Sequence, residues 1–205
     1  MNNTDKKNYS PAADRNKDPI LEILRLYINK GRLLEVGSGT GQHAVYFAQA
    51  ISTVQWVTSD IKRNHSTIKE YLIEAKLKNV HGPETLKIGE DDFPKGQFDY
   101  LFTANTLHIM PWKEVKTFIK LAGKRLRENS LVFMYGPFNY EGKFTSESNE
   151  QFNASLKERN PNSGIRNFED ILSNMKNSGF KLINDHEMPA NNRLLVFERL
   201  EFNKN

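Results

Sequence analysis

The run Leu33-Leu34-Glu35-Val36-Gly37-Ser38-Gly39-Thr40-Gly41 constrains the fold more than any other stretch: an apolar segment gives way to three alternate glycines, and a helix-like pattern starts directly after them. That order reads as a strand, a tight loop and a helix. Glycine is needed where a backbone takes positive φ or where a ligand must approach without a Cβ in the way, so the loop is expected to face a nucleotide-like ligand. Asp60 closes a second apolar run, Val54-Gln55-Trp56-Val57-Thr58-Ser59, nineteen residues past Gly41. A carboxylate at the tip of the neighbouring strand can accept both hydroxyls of a ribose.

The spacing decides between nucleotides. Dinucleotide sites use G-x-G-x-x-G, whose third glycine allows close helix packing while the helix N-terminus holds a pyrophosphate. Here that third position is Gln42, which disfavours a dinucleotide. The observed G-x-G-x-G, with Glu35 two places before its first glycine, resembles motif I of class I S-adenosylmethionine-dependent methyltransferases. Their cofactor carries no phosphate and needs no anion cradle.

A chain of 205 residues suits one domain with a substantial core. With 38% hydrophobic and 26% charged residues and no run as long as a membrane span, it reads as a globular protein that does not engage a membrane. The opening Met1-Asn2-Asn3-Thr4-Asp5-Lys6-Lys7 lacks the apolar core of a signal peptide, and a cytoplasmic location is expected. The absence of cysteine excludes disulfides, thiolate zinc sites and a cysteine nucleophile, and the histidines show no metal-ligand spacing. A net charge of +4 makes no case for nucleic acid. Lys113, Lys116, Lys120, Lys124 and Arg127 fall on one helix face opposite Val115, Phe118, Ile119, Leu121, Ala122 and Leu126, and read as the solvated side of an amphipathic helix.

Strand-like and helix-like segments alternate along the chain, which argues an α/β sheet built from right-handed crossovers. The expected helices start at Asp18-Pro19 (to about 29), 41–50, 61–78, the basic-faced segment, 147–159, and from a cap at Asn167 to Gly179. The expected strands are 32–36, 54–59, 84–88, 98–103, 131–135, 180–186 and 193–202, the last two joined as a hairpin through Met188-Pro189-Ala190-Asn191-Asn192. Residues 1–17 read as an amino-terminal arm and possible lid, 18–205 as one domain, and about 137–166 as an insert placed to cover a ligand. Ligands of open parallel sheets bind at the carboxyl ends of the strands, which gathers Gly37–Gly41, Asp60, Gly89–Asp92, Asn105–His108 and Tyr135–Tyr140 on one rim.

Several blocks make the resemblance more specific. They are Ser10-Pro11-Ala12-Ala13-Asp14-Arg15-Asn16-Lys17, the Gly37–His43 loop, Ser59-Asp60, Asn105 with His108-Ile109 and Pro111-Trp112, Tyr135-Gly136-Pro137-Phe138, Ser148-Asn149 with Phe152, Gly164 with Arg166, and Met188-Pro189-Ala190-Asn191-Asn192. Together they span almost the whole chain and resemble the methyltransferase-like protein 26 family. The resemblance implies a Rossmann-like class I methyltransferase fold: a seven-stranded, mostly parallel sheet with an antiparallel last strand and helices on both faces. It also implies S-adenosylmethionine as cofactor and S-adenosylhomocysteine as product, and it leaves the acceptor open. The chain departs from the family pattern at Lys87, where an acidic residue would meet the adenine amino group, and at Asn153, Asn167 and Ser163. Glu90, Asp91 and Asp92 are the candidates to replace the missing adenine contact.

The expected cofactor-binding set is Glu35, Gly37, Ser38, Gly39, Gly41, Asp60 and Asn105. Methyl transfer from a sulfonium is an in-line displacement, so much of its acceleration comes from alignment. A base is needed only where the acceptor must lose a proton, and His108, just after the fourth strand, is the candidate. Its alternative is a histidine that packs near a helix start. Arg15, Tyr135, Arg166, Asn191 and Asn192 are candidate substrate-binding residues, since guanidinium forks fix anions and amides both donate and accept. Against this, Arg166 could pair structurally, Arg15 could anchor the arm and the asparagines could simply make a turn. The expected function is methyl transfer to a small-molecule acceptor. The alternatives are an RNA or protein methyltransferase and a noncatalytic S-adenosylmethionine-binding module.

Overall fold

The computed structural model describes residues 8–201. Helix α1 (Pro11–Tyr27) leads into β1 (Gly31–Val36), α2 (Gln42–Ala50), β2 (Val54–Asp60), a short 3-10 turn (Lys62–Asn64), α3 (His65–Ala75), β3 (Val80–Thr85) and β4 (Tyr100–Ala104). Then follow α4 (Trp112–Arg125), β5 (Leu131–Gly136), β6 (Phe138–Asn139), α5 (Glu147–Arg159), β7 (Arg166–Asn167), α6 (Phe168–Asn177), β8 (Phe180–Met188) and β9 (Asn192–Arg199). Seven strands form one sheet in the order β3-β2-β1-β4-β5-β9-β8, with β9 antiparallel to both its neighbours, as a class I methyltransferase fold requires. The two-residue strands β6 and β7 pair separately and in parallel. Among the described residues no helix is long and apolar enough to cross a membrane.

Both faces of the sheet are covered because its inner strands are apolar on both sides. On β1, β4 and β5, Leu34, Leu101, Val132 and Met134 pack with Val115, Phe118 and Ile119 of α4 and Ile171 and Met175 of α6. The alternate residues Leu33, Phe102 and Phe133 pack with Ile20 and Leu24 of α1 and Phe47 of α2. Phe47, Trp56 and Phe102 form a ring cluster with centroids 5.5–5.9 Å apart, buried without exposure. The basic residues of α4 point to solvent, as its amphipathic spacing requires.

Two boundaries differ from the sequence expectation, and one cap differs in its bonding. Helix α1 begins at Pro11, seven residues before Asp18, because Ser10 takes the cap: its Oγ accepts from the Ala13 N–H at 3.2 Å, and Pro11 occupies the first turn, where a missing N–H costs nothing. Pro19 is carried inside the helix and gives up one backbone bond there. Of the expected 1–17 arm, residues 1–7 lie outside the described residues and 11–17 are helical. Strand β3 lies at 80–85 rather than 84–88; its His81-Gly82-Pro83 reads as a loop, yet β3 is a sheet edge, where a proline with no N–H to donate is tolerated. Asn167 stands at the cap position of α6, but its amide turns to the Asp170 carboxylate at 3.2 Å instead of capping the backbone.

Glu35 of β1 is a buried carboxylate, 2% exposed, with Oε2 accepting from the Trp56 indole N–H at 2.9 Å. Burial raises its pKa to about 8, against the pull of hydrogen bonds from Trp56 and Ser38. A group raised on folding holds its proton in the native state after the unfolded chain has lost it. Its contribution is therefore present below the ordinary carboxylate pKa and is lost as pH rises through 8. Glu35→Gln keeps an acceptor for Trp56 and removes the ionisation. In thermal melts it should raise Tm by roughly 5 °C or more at pH 8, and by much less at pH 5.

Candidate functional site

The site is assembled where the parallel strands β1, β2, β4 and β5 end. Ser59, near the end of β2, draws the glycine loop down: its carbonyl accepts from the N–H groups of both Gly37 and Ser38 at 3.0 Å, and its own N–H donates to Ser38 Oγ at 3.1 Å. Gly37 adopts φ +76°, and a Cβ there would meet Thr106 Oγ1 at 2.7 Å, so the loop can pass the segment after β4 only without a side chain. Gly39, at φ +59°, has no atom within 4 Å of where its Cβ would stand. The crest of the loop therefore borders open space. Gly41 starts α2 in the left-handed conformation.

Asp60, 7% exposed, is the carboxylate of this cleft. Its Oδ2 accepts from Gly39 N–H at 2.7 Å, and its Oδ1 accepts from Ile61 N–H at 2.7 Å and Asn64 Nδ2 at 2.9 Å. These three donors fix the group and leave one of its approximately four acceptor positions free. Glu35 sits beneath the loop, toward Trp56, and supports it from the core side. Residues 8–10 are tied to the first turns of α2 and α3. The Ser10 N–H donates to Gln42 Oε1 at 2.6 Å, the Gln42 amide donates back to the Ser10 carbonyl at 3.4 Å, and Asn8 Nδ2 donates to Thr67 Oγ1 at 3.1 Å. Gln42, which replaces a dinucleotide glycine, thus ties the amino-terminal segment to the start of α2.

Across the cleft, Asn105 takes φ +57° and donates its N–H to the Tyr135 carbonyl at 2.9 Å. Asn105 Oδ1 and His108 Nδ1 converge beside Gly136, 3.7 and 3.6 Å from where its Cβ would be. His108 is 4% exposed and lies edge-on to Phe152 of α5, with ring centroids 5.2 Å apart. Burial, with smaller contributions from the charges of Arg166 and Arg159, lowers its pKa to about 4, so the imidazole is neutral at physiological pH.

The substrate candidates are scattered. Arg15 is exposed on α1. Tyr135 is 3% exposed and its hydroxyl bonds to Asn16, which also holds His43 Nε2 at 2.7 Å. This buried chain, tying α1 and α2 to β5, has no sequence signal beyond the individual residues. Asn191 is exposed at φ +56°, its carbonyl accepting from Asn149 Nδ2 at 3.1 Å, while the Asn192 amide turns back to the Pro189 and Ala190 carbonyls. Arg166 has its guanidinium engaged by backbone carbonyls. At the third strand, Lys87 forms an ion pair with Glu90 and its N–H donates to Asp91 Oδ2 at 2.8 Å, while Asp92 faces Arg125 at 3.6 Å. The acidic turn is thus engaged with its own neighbours. Thr106, Gln42 and Phe152 are rim residues that sequence reasoning did not single out as functional; Gln42 carried a signal, as the departure from the dinucleotide spacing.

A cavity of about 740 Å³ is at the opposite end of the sheet, lined by Asp99, Lys124, Arg127 and Asn129 among others. It holds none of the rim residues. Among the described residues no cluster of histidine and carboxylate side chains could hold a metal ion.

Solved structures share this architecture. The S-adenosylmethionine-dependent methyltransferase SibL in its apo form matches with a TM-score of 0.76 and 19% identity over 93% of this chain and 56% of that one. An O-methyltransferase family 2 protein from Planctomyces limnophilus, in complex with apigenin, matches with a TM-score of 0.82 and 14% identity, covering 92% of this chain and 58% of that one. Human N-acetylserotonin methyltransferase, in complex with SAM, matches with a TM-score of 0.80 and 12% identity over 93% and 53%. The chain therefore spans a little over half the length of the structures it matches, and at these identities the likeness is one of fold. A family model matches residues 7–199, and the chain belongs to that family, described as "Protein of unknown function (DUF938)".

Proposed function

We propose that this protein transfers a methyl group from S-adenosylmethionine to a small-molecule acceptor. The observation that carries the reading is the glycine loop held to Asp60, with open space beside Gly39 and a neutral, buried histidine on the facing wall. The cleft fits an adenosyl group: the free acceptor position of Asp60 suits a ribose hydroxyl, and the Gly39 crest admits the group without a Cβ in its path. When bound, the cofactor supplies an electrophilic methyl carbon and departs as S-adenosylhomocysteine. The chain's own part is to align the acceptor in line with that carbon and to keep water out. Asn105 lines the pocket, and His108, uncharged, can take the proton the acceptor loses. The segment before α1 serves as a lid over the cofactor, a role favoured by the Ser10–Gln42 and Asn8–Thr67 bonds. The motif blocks favour the methyltransferase-like protein 26 family as the branch.

Calorimetry with S-adenosylmethionine, S-adenosylhomocysteine and NAD in parallel tests the cofactor. Binding of the first two and not the third is expected, with Asp60→Ala weakening it tenfold or more by loss of a charged hydrogen bond worth about 1.5–3 kcal/mol. Equal binding by Asp60→Ala would place the ribose elsewhere. For the chemistry, S-adenosylhomocysteine release is measured over a panel of phenols, thiols, carboxylates and amines. With an acceptor in hand, the acid limb of kcat/KM in the unaltered enzyme should fall near pH 4 instead of 6.5, and His108→Gln should lower kcat by roughly 10²–10⁴ while leaving cofactor affinity intact. Unchanged turnover across pH in His108→Gln removes the base.

A further inference from the structure

The segment that carries His108 leaves β4 and enters α4 with four successive carbonyls, Leu107 to Met110, that belong to neither element. Unpaired backbone carbonyls in a buried loop are costly, so their partners define what holds the loop. All four are taken by one short stretch at the far end of the insert. Arg166 Nε donates to the Leu107 carbonyl at 3.0 Å, the Gly164 N–H to the His108 carbonyl at 2.8 Å, Ser163 Oγ to the Ile109 carbonyl at 2.8 Å, and Arg166 Nη2 to the Met110 carbonyl. The guanidinium also donates to the Asn162 carbonyl at 3.1 Å and lies over the Trp112 ring, 5.9 Å from its centroid, at the first residue of α4.

This stretch is itself fixed to α5. Asn153 Oδ1 accepts from the Ile165 N–H at 2.9 Å, and a Cβ on Gly164 would stand 2.9 Å from that same oxygen. Phe152, the preceding residue of α5, packs edge-on against the His108 ring. The insert therefore grips the His108 loop twice, through its backbone from Ser163–Arg166 and through its ring from α5.

We propose that Ser163 and Arg166 are positioning residues that hold His108 in place through the carbonyls of its loop, and that Arg166 serves the site in this way rather than by binding an acceptor. The inference rests on the methyltransferase reading for its catalytic meaning, and on the carbonyl clamp for its geometry. A planar fork is required because the two outer carbonyls are met by different nitrogens of one side chain, which an ammonium cannot reproduce. The charge matters separately. Arg166 on β7 and Arg159 at the end of α5 are the ionised groups that act on the imidazole, and both oppose its protonation. Support of a reactive group by a second layer with locked side chains is what keeps such a group in register.

The test uses the full chain and two readouts that need no acceptor: the His108 titration by NMR of its ring protons, and hydrogen exchange of the 105–112 amides. Arg166→Met should raise the His108 pKa from about 4, by removing one of the two charges that oppose its protonation, and speed exchange about tenfold. Arg166→Lys, which keeps charge without the fork, should speed exchange while the pKa stays low. Ser163→Ala, which removes one neutral donor and endangers folding least, should speed exchange alone. Wild-type titration and exchange in Arg166→Met, or wild-type exchange in both Arg166→Lys and Ser163→Ala, overturns the proposal. If Arg166→Met does not fold, the other two variants decide. Calorimetry with S-adenosylhomocysteine on the unaltered chain separates the two readings: no binding there defeats the methyltransferase assignment and leaves the clamp's titration and exchange results standing.

Discussion

Everything at the rim depends on how β1 and β2 end. Their parallel register carries Val36 opposite Ser59, so the chain leaving β1 turns directly over the Ser59 carbonyl, which accepts two successive N–H groups. A carbonyl has two lone pairs, and here both are used to bend one loop. The bend delivers Gly39 to Asp60, whose carboxylate is also tied to its own following turn. The loop is consequently preorganised by the sheet, and the open volume beside it is a product of strand register together with the missing side chains.

What the sequence disclosed was whatever depends on near neighbours. The glycine loop, the span of α5 from its Ser146 cap, and the closing hairpin through the Met188–Asn192 turn all follow from patterns a few residues long. Failures came where a distant partner overrode a local cue. Pro19 marks a helix start in isolation, yet Ser10 and Pro11 begin α1 earlier, and the buried Ile20 and Leu24 hold both halves against α2. His81-Gly82-Pro83 is a loop by composition and a strand by its pairing with β2. At the candidate site, the positions of Asp60 and His108 at the strand ends were legible from the alternation of strands and helices. The depression of the His108 pKa was not, because it comes from burial under α5, about forty residues further along the chain.

The insert between β5 and α6 has a physical role beyond covering a cleft. Its two-residue strands are too short to stand alone, and they are held because Phe138 enters the core while Arg166 across from it reaches the loop after β4. The amino-terminal segment acts on the other wall through Gln42. Two separate pieces of chain thus border one cleft, one beside the glycine loop and one beside the histidine. The parallel core supplies the floor, and these two pieces supply the walls.

The two outer strands of the sheet bear on the molecule's life among other proteins. An open edge offers unpaired backbone groups to any extended chain, and such edges template unwanted association. Here β3 presents Pro83, which has no N–H to offer, and β8 carries a register shift between Leu182 and Asn184 along with Lys181, Asp185 and Glu187. The irregular backbone and the charges spoil both margins as templates for an eighth strand from a neighbour.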